Sequence, residues 1–385
     1  MRIFVLGVGA TGSLLVRLLV RQGHHVSCGD RDPDRARDFL GDTSDIAIQR
    51  VNARNLRNVV KATEGCHLLI NACPPVLNNI IMRAALRVQA HYLDTASHLR
   101  ANPFRPEQLS FDRRFREKQR WALIHAGVAP GLTNLLAAQA AAGLDEAEKA
   151  EIRIFENTAS DNPVSQWSAE SSFDEAISRP RVYRNGRFGF GVKFGERERF
   201  RFPPPIGLVS VVLAAQDEVT TLPRVLRLRS VDAKIGGTDM ERFRRWYRQG
   251  KLKRSRGLSA VQFPATETPR AMIKLVRKGI LHNARFAVAV SVYGFRGERP
   301  CRIRWDAKFP SLFELRHKKL AYSPIAWSTA HLVAVFVKHM PHDLVGVYVP
   351  EELPAPVRRK ILHAARSSGI RLKRTTTSFR SSDQS

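Results

Sequence analysis

Three glycines near the start of the chain separate a short apolar segment from a segment of helical periodicity. Residues 3–6 predict a buried strand, and leucines at helical spacing over residues 14–19 predict the helix that follows it. In such a loop the first glycine permits a tight turn, the second lets the backbone approach a pyrophosphate, and the third lets the helix lie close to the sheet. The N–H groups of the first helical turn then face the phosphates. We therefore predict a dinucleotide site that includes Gly7, Gly9, Ala10, Thr11 and Gly12.

A second predicted strand, over residues 25–28, leads to Asp30. This residue lies about 20 positions beyond the glycines, where dinucleotide sites of this type carry a ribose-binding carboxylate. Asp30 would hydrogen-bond a free 2′-hydroxyl, which favours NAD, whereas the adjacent Arg31 could pair with a 2′-phosphate, which favours NADP. The two residues leave the choice of cofactor open.

Strand-like and helix-like segments alternate through residues 1–130. This alternation predicts an α/β fold in which an N-terminal Rossmann domain has a doubly wound parallel sheet with right-handed crossovers. Because ligands of such sheets bind at the carboxyl ends of the strands, the residues that follow each strand should face the cofactor. On this basis we assign to the cofactor site Asn71, Ala72, Cys73, Pro74, Thr95, Ala96, Pro130 and Gly131.

The pattern changes near residue 150, and 385 residues are too many for one ordinary core. Strand-rich segments interrupted by turn signals predict a second α+β domain, built on an open mixed sheet, over residues 131–325. A helical segment over residues 326–372 is expected to return to the Rossmann domain. Residues 373–385 contain few apolar side chains and are expected to be disordered.

The net charge of +28 is the unusual feature of the composition. It allows the alternative of a basic polyanion-binding protein, but the arginines are spread along the chain and no specific nucleic-acid site is expected.

No apolar run reaches the roughly 20 residues that span a bilayer. The four cysteines lack the spacing of metal ligands, so we expect no metal site, and free thiols fit a cytoplasmic protein.

Several segments together resemble the saccharopine dehydrogenase-like oxidoreductases. The specific ones are the glycine loop and residues 71–75, 92–96 and 126–134, and weaker similarity continues at 202–207, 217–224 and 346–351. Relatives in that family act on saccharopine, carboxynorspermidine or lysine. The resemblance implies an NAD(P)-dependent enzyme of amino-acid metabolism, with a slight preference for NADP and a homodimer formed through the second domain. The reaction it implies is hydride transfer between nicotinamide and a carbon bonded to nitrogen, in an amino-acid or polyamine-type substrate.

Asp94 and His98, just beyond a strand on the cofactor side, are the catalytic candidates for this reaction. Amine oxidation needs a group that accepts a proton from nitrogen, and an imidazole with its unperturbed pKa of about 6.5 can do this near neutral pH. Asp94 could orient that imidazole or bind the nicotinamide ribose. The structural alternative is that Asp94 caps a turn and His98 is an exposed loop residue, while His125 is expected to be packed.

Substrate contacts are less evident from the sequence. Arginine binds carboxylates through two parallel hydrogen bonds, and Arg224 is our candidate among several arginines of the second domain. Trp167, among serines and a glutamine, would suit a pocket wall. A dinucleotide-binding regulatory protein without turnover is a further alternative.

Overall fold

The fold is seen in a computed structural model, which describes residues 1–41, 46–166, 168–252, 254–255, 258–259 and 267–379. The predicted substrate residue Trp167 and the tail residues 380–385 lie outside the described residues.

The N-terminal domain contains a parallel sheet whose strands come in the order expected of a doubly wound fold. Pairing runs β6-β5-β4-β1-β2-β3, and every pair is parallel. Alternate residues of β1 point to opposite sides, so that Ile3 and Val5 join one core and Phe4 and Leu6 another. The strands are β1 (Arg2–Leu6), β2 (His25–Asp30), β3 (Ile48–Arg50), β4 (Leu68–Asn71), β5 (His91–Asp94) and β6 (Trp121–Leu123).

Helices connect these strands and cover the two faces of the sheet. Two short 3-10 helices, Pro75–Leu77 and Glu107–Phe111, precede the fourth and fifth of them directly. The helices are α1 (Ala10–Arg21), α2 (Pro33–Leu40), α3 (Leu56–Ala62), α4 (Asn78–Arg87) and α5 (Asp112–Glu117).

The second domain is built on a mixed sheet, as predicted. Its main path is β10-β11-β12-β7-β15-β16, in which β12 and β7 are parallel and the other neighbours are antiparallel. The hairpin β8–β9 turns at Asn185-Gly186, both with positive φ, and pairs with β12. The strands are β7 (Glu146–Ser160), β8 (Arg181–Arg184), β9 (Arg187–Phe190), β10 (Glu198–Phe202), β11 (Gly207–Leu213), β12 (Ser230–Gly236), β13 (Arg254–Ser255), β14 (Leu258–Ser259), β15 (Leu281–Arg296) and β16 (Arg299–Lys308).

The helices of this half of the chain pack mainly on one side of the mixed sheet, where Ile152 and Ile154 of β7 join the large core. The first of them leads out of the N-terminal domain, and most of its residues are buried. The helices are α6 (Leu132–Ala141), α7 (Ala169–Ile177), α8 (Glu218–Val225), α9 (Thr238–Arg248), α10 (Pro269–Arg277), α11 (Leu312–His317) and α12 (Pro324–His339).

After α12 the chain contributes to both domains. Strand β17 (Gly346–Tyr348) extends the first sheet by parallel pairing with β6, and a 3-10 helix, Pro350–Glu352, and α13 (Ala355–Ser367) follow it. Strand β18 (Arg371–Ser378) then pairs antiparallel with β16. No described helix is long and apolar enough to cross a membrane.

The expectation of disorder from residue 373 onward is therefore wrong for residues 373–378. The segment is polar, but an edge strand needs few apolar side chains, because its backbone hydrogen bonds to β16 hold it in place. Leu372 packs against the core and anchors the start of the strand. Composition alone does not report this kind of backbone pairing.

Candidate active site

Two of the three glycines between β1 and α1 are required by the packing of the loop. Gly7 has a φ of +96°, and a Cβ there would lie 2.9 Å from the carbonyl carbon and oxygen of Ala72. A Cβ on Gly12 would lie 2.0 Å from the carbonyl oxygen of Gly7. Glycine at these positions lets the loop, the start of α1 and the end of β4 pack together.

Gly9, unlike Gly7 and Gly12, lies at an open position at the start of α1. It is the N-cap of α1, no side chain caps the first turn, and among the described residues no atom beyond its two chain neighbours lies within 4 Å of where its Cβ would be. Uncapped N–H groups at the positive end of a helix dipole are the donors that bind pyrophosphate. Ala10 and Thr11, both half-buried, belong to this turn. The residues present therefore fit a dinucleotide phosphate group.

Asp30 supports the glycine loop. One carboxylate oxygen accepts a hydrogen bond from the Val8 N–H at 2.8 Å, and the other accepts one from the Asp32 N–H at 3.0 Å. Each oxygen keeps a second lone pair to which a ribose hydroxyl can donate. The predicted ribose-binding position is thus compatible with the geometry, and Asp30 also fixes the loop.

Two arginines lie beside Asp30, of which only one was predicted from the sequence. Arg31 is exposed at the end of β2, and Arg50 at the end of β3 donates through Nη1 to the Arg31 carbonyl oxygen at 3.1 Å. The end of β2 is where this fold meets the adenosine ribose. Sequence spacing does not identify Arg50, because only the pairing of β2 with β3 brings it to Arg31.

The segment after β4 forms a wall against the glycine loop. Asn71 is buried, donates to Asn78 Oδ1 at 2.8 Å and accepts from the Cys73 N–H at 3.0 Å. The Cys73 thiol donates to the Leu6 carbonyl oxygen, and burial, followed by the charge of Asp30, raises its pKa to about 12. Cys73 is therefore a protonated packing residue beside the predicted cofactor position, with Pro74 leading into the 3-10 helix that follows.

Asp94 lies entirely inside the protein. Tyr92 Oη and Gln108 Nε2 donate to its Oδ2 at 2.9 and 3.0 Å, and the His125 backbone N–H donates to Oδ1 at 3.2 Å. Burial raises the pKa of Asp94 to about 7. With a relative exposure of 1% and hydrogen bonds to both oxygens, the carboxyl is placed to support the ends of β5 and β6.

His98 lies in the loop after β5 and pairs with Glu107. Its Nε2 is 3.8 Å from Glu107 Oε1, and the two side chains keep 16% and 19% of their surface exposed. Glu107 also accepts hydrogen bonds from the N–H groups of Arg100 and Ala101. His98 is thus accessible, but it is tied to the residue that organises its own loop.

A cluster of polar side chains, formed by Ser97, His125 and Asp217, joins the two domains. Ser97 Oγ is hydrogen-bonded to His125 Nε2, and the Ser97 backbone N–H donates to Asp217 Oδ2 at 2.8 Å. Asp217, at the start of α8, is 3.8 Å from Arg181 Nη1 on β8 and is mostly buried. The cluster therefore connects the carboxyl ends of β5 and β6 to the second domain.

His125 is buried, as predicted, but it has more than a packing role. Its φ is +63°, and its Nδ1 has no hydrogen-bond partner among the described residues. Burial lowers the pKa of His125 to about 4, although Asp217 acts in the opposite direction. The imidazole is therefore neutral near pH 7, and its Nε2 orients the Ser97 hydroxyl.

The loop 127–131 closes this end of the first sheet. Gly131 has a φ of +132°, and a Cβ there would lie 2.1 Å from the Gly127 carbonyl oxygen. Pro130, after a cis peptide bond, is buried. Thr95 and Ala96 are half-buried beside this loop, which is consistent with their assignment to the cofactor side.

Arg224 is not part of the cluster. It is exposed on α8, and its guanidinium lies 4.8 Å from the centre of the Phe188 ring. Phe188 in turn stacks on Phe104 of the first domain. Arg181, whose Nε donates to the Pro103 carbonyl oxygen at 2.6 Å, is the arginine that reaches the site.

In the described residues no group of three or more potential ligands could hold a metal ion.

Comparisons with known proteins agree with this architecture. Residues 3–123 match the saccharopine dehydrogenase NADP binding domain family. The apo structure of saccharopine dehydrogenase (L-Glu forming) from Saccharomyces cerevisiae has a similar fold, with a TM-score of 0.72 and 12% identity over 98% of this chain and 99% of that chain. The N-terminal domain therefore matches that domain family, and the fold of the whole chain is similar to that of the yeast enzyme. This confirms the resemblance and the α/β fold class, and it supports a nicotinamide dinucleotide as the cofactor.

Two further solved structures are more distantly similar. A probable dehydrogenase from Thermotoga maritima gives a TM-score of 0.44 at 9% identity, covering 96% of each chain. A mutant of meso-dapdh with DAP from Clostridium tetani E88 gives 0.42 at 12% identity, covering 93% of this chain and 95% of that chain.

Proposed function

We propose that the protein is an NAD(P)-dependent oxidoreductase, with NADP slightly favoured, that transfers hydride between nicotinamide and the carbon of a C–N bond in a small amine substrate. The proposal rests mainly on the cluster of Ser97, His125 and Asp217 at the carboxyl ends of β5 and β6. That edge of a doubly wound sheet is where its ligands bind. The family of the N-terminal domain and the fold of the yeast enzyme support the reaction class.

Oxidation of an amine removes a hydride from carbon and a proton from nitrogen. When bound, the nicotinamide supplies the hydride acceptor. Asp217 is the group we propose for the proton, because its Oδ2 is held by the Ser97 N–H while Oδ1 keeps lone pairs available and Arg181 balances its charge. In the reverse direction the same carboxyl returns the proton to the nitrogen of the imine.

Ser97 and His125 are positioning residues in this scheme. The neutral imidazole fixes the Ser97 hydroxyl, and the Ser97 backbone fixes Asp217. Asp94 helps to hold His125 in place, because its carboxylate accepts a hydrogen bond from the His125 backbone N–H. His98 is the alternative proton acceptor, since its side chain is partly accessible.

The preference for NADP is supported by the two arginines at the ends of β2 and β3. Arg31 and Arg50 give the ribose end of the site two guanidinium groups, which suit a 2′-phosphate. Asp30 suits a free 2′-hydroxyl and acts in the opposite direction.

Amine-dependent reduction of NADP⁺, followed by nicotinamide absorbance in wild type, Asp217→Asn and His98→Asn, tests the proposal. We expect turnover of at least one amine, and a kcat for Asp217→Asn lower by about 10²-fold or more with NADPH affinity unchanged. Glu298→Gln, an exposed change in the β15–β16 turn, is the control. Loss of turnover in His98→Asn with Asp217→Asn unaffected would transfer the role to His98. Absence of amine-dependent reduction would overturn the proposal.

A further inference from the structure

An aromatic contact joins the two domains beside the site. Phe104, in the loop that follows β5, has its ring centre 5.4 Å from that of Phe188 and 4.9 Å from that of Phe190, both on β9. Such distances are typical of attractive aromatic pairs. In the described part of the chain none of the three rings belongs to a hydrophobic core, and Phe190 is 37% exposed. We call these three residues the interdomain clasp, a contact whose loss leaves both cores intact.

Two arginines of the second domain contact the same rings. The Arg179 guanidinium lies 4.4 Å from the centre of the Phe190 ring, and the Arg224 guanidinium lies 4.8 Å from the centre of the Phe188 ring. A guanidinium at this distance is attracted to an aromatic ring. The second domain thus helps to hold the two rings of β9 in place for their contact with the loop.

The loop that carries Phe104 is anchored to its own domain near its base. The His98 N–H donates to Gln108 Oε1 at 3.1 Å. The N–H groups of Arg100 and Ala101 donate to Glu107 Oε1 at 3.0 and 2.7 Å. Because these hydrogen bonds hold the loop to the first domain, a contact at its tip also constrains the position of the second domain.

Arg181 connects the clasp to the proposed proton-transfer group. Its Nε donates to the carbonyl oxygen of Pro103, the neighbour of Phe104, at 2.6 Å, and its Nη1 lies 3.8 Å from Asp217 Oδ1. The guanidinium is planar, so the directions of its donors are fixed relative to one another. The hydrogen bond to Pro103 therefore determines how Nη1 approaches the carboxylate. Only 12% of the Arg181 side chain is exposed, which leaves little room for another orientation.

We infer that Phe104 and Arg181 are positioning residues, which place the Asp217 carboxyl for proton transfer only while the tip of the loop contacts β9. The inference rests on the proposed function for the role of Asp217 itself. The Ser97 N–H holds one oxygen of Asp217 from the first domain, and Arg181 approaches the other from the second domain. The reactive geometry is thus assembled between the domains, and the clasp keeps the two halves together.

Amide hydrogen exchange of the unliganded protein tests the inference without turnover. The Ser97 N–H is bonded to Asp217 across the domains, whereas the next amide, that of His98, is bonded to Gln108 within the first domain. We expect Phe104→Ala to raise the exchange rate of the Ser97 amide by about tenfold, the loss expected of an aromatic pair, and to leave that of His98 unchanged. Mass spectrometry with electron-transfer fragmentation resolves the two amides.

Three further variants separate this link from a general loosening of the loop. Phe104→Tyr keeps the ring and should exchange like wild type, and Phe313→Ala, which removes an exposed phenylalanine from α11, is the matched control. Arg181→Lys keeps the positive charge but not the planar fork, and should accelerate exchange of the Ser97 amide as Phe104→Ala does. Phe104→Ala combined with Arg181→Lys should exchange little faster than the faster single variant, because both changes break one link.

Turnover tests the positioning role itself. With an amine that the wild type oxidises, Phe104→Ala and Arg181→Lys should each lower kcat by about tenfold or more with the Kd for NADPH unchanged, because displacement of a reacting group slows the chemical step. Phe104→Tyr should restore kcat. A role in stability alone would lower the unfolding temperature and leave kcat unchanged.

Equal acceleration of the Ser97 and His98 amides in Phe104→Ala would show that the whole loop loosens, and would overturn the inference. Unchanged exchange of Ser97, multiplicative effects in the double variant, or an unchanged kcat in both single variants would overturn it as well. The expected exchange rates in a protein that oxidises no amine would overturn the proposed function, and would leave standing the dependence of Asp217 on the clasp.

Discussion

Replacing glycine by alanine should weaken cofactor binding at Gly9 and should lower the stability of the fold at Gly12. At Gly9 φ is −85°, and in the described part of the chain no atom beyond its two chain neighbours lies within 4 Å of the new Cβ, so the unfolding free energy should change by less than about 1 kcal/mol. At Gly12 the new Cβ would lie 2.0 Å from the Gly7 carbonyl oxygen, and α1 must move away from the loop. Gly12→Ala is therefore a packing change, and Gly9→Ala is a change at the ligand surface.

The magnitudes follow from these contacts. A Cβ overlapping backbone this closely lies at the upper end of the about 1–3 kcal/mol that overpacking costs, and alanine regains up to about 1 kcal/mol over glycine inside a helix, so Gly12→Ala should lose about 2 kcal/mol of stability. The Gly9 methyl occupies space that the pyrophosphate would approach. A cost of about 1–3 kcal/mol there corresponds to a rise of about 5- to 150-fold in the Kd for NADPH.

Urea unfolding followed by circular dichroism measures the first quantity, and titration of NADPH fluorescence measures the second. Each variant is the control for the other, because both add the same methyl group to the same turn. NADPH affinity of Gly9→Ala equal to that of wild type, or a larger loss of stability in Gly9→Ala than in Gly12→Ala, would refute the reasoning.

Three further predictions concern the cofactor, the buried acids and the C-terminal strand. Arg50→Ala should raise the Kd for NADP⁺ more than that for NAD⁺, and equal effects in a binding titration would argue against a 2′-phosphate contact. Burial raises the pKa of Glu218 and of Glu351 to about 7, above the usual 4.5, so their contribution to stability is complete below about pH 4.5 and is lost as the pH rises through 7. Urea unfolding of Glu351→Gln should therefore show a smaller loss of stability over this range than wild type, and an identical pH profile would contradict this. Truncation after Gly369 leaves the edge of β16 unpaired and should lower the unfolding temperature, whereas an unchanged temperature would show that β18 adds nothing.

Local spacing was enough to predict the cofactor loop and the first domain. Gly7 and Gly12 are fixed by close contacts to neighbouring backbone, and such constraints leave a short, specific pattern in the sequence. The parallel order of the strands follows from their alternation with helices. Asp30 lies where its distance from the glycines predicts it, and its hydrogen bond to Val8 explains why a carboxylate suits that position.

The site itself depends on contacts between distant parts of the chain. Asp217 meets Ser97 across 120 residues of sequence, and no spacing rule predicts that pair. His125 was expected to be packed, and burial alone does not reveal that its imidazole reaches Ser97. The burial of Asp94 could have been anticipated, because Tyr92 and Asp94 lie on the same face of β5 at a spacing of two.

A crystal structure of the NADP⁺ complex tests most directly whether the glycine loop and the Ser97–His125–Asp217 cluster belong to one site. The account predicts the pyrophosphate on the N–H groups at the start of α1 and the nicotinamide C4 atom facing Ser97 and Asp217. A dinucleotide bound at the loop with its nicotinamide directed away from Asp217, or bound elsewhere on the protein, would contradict it.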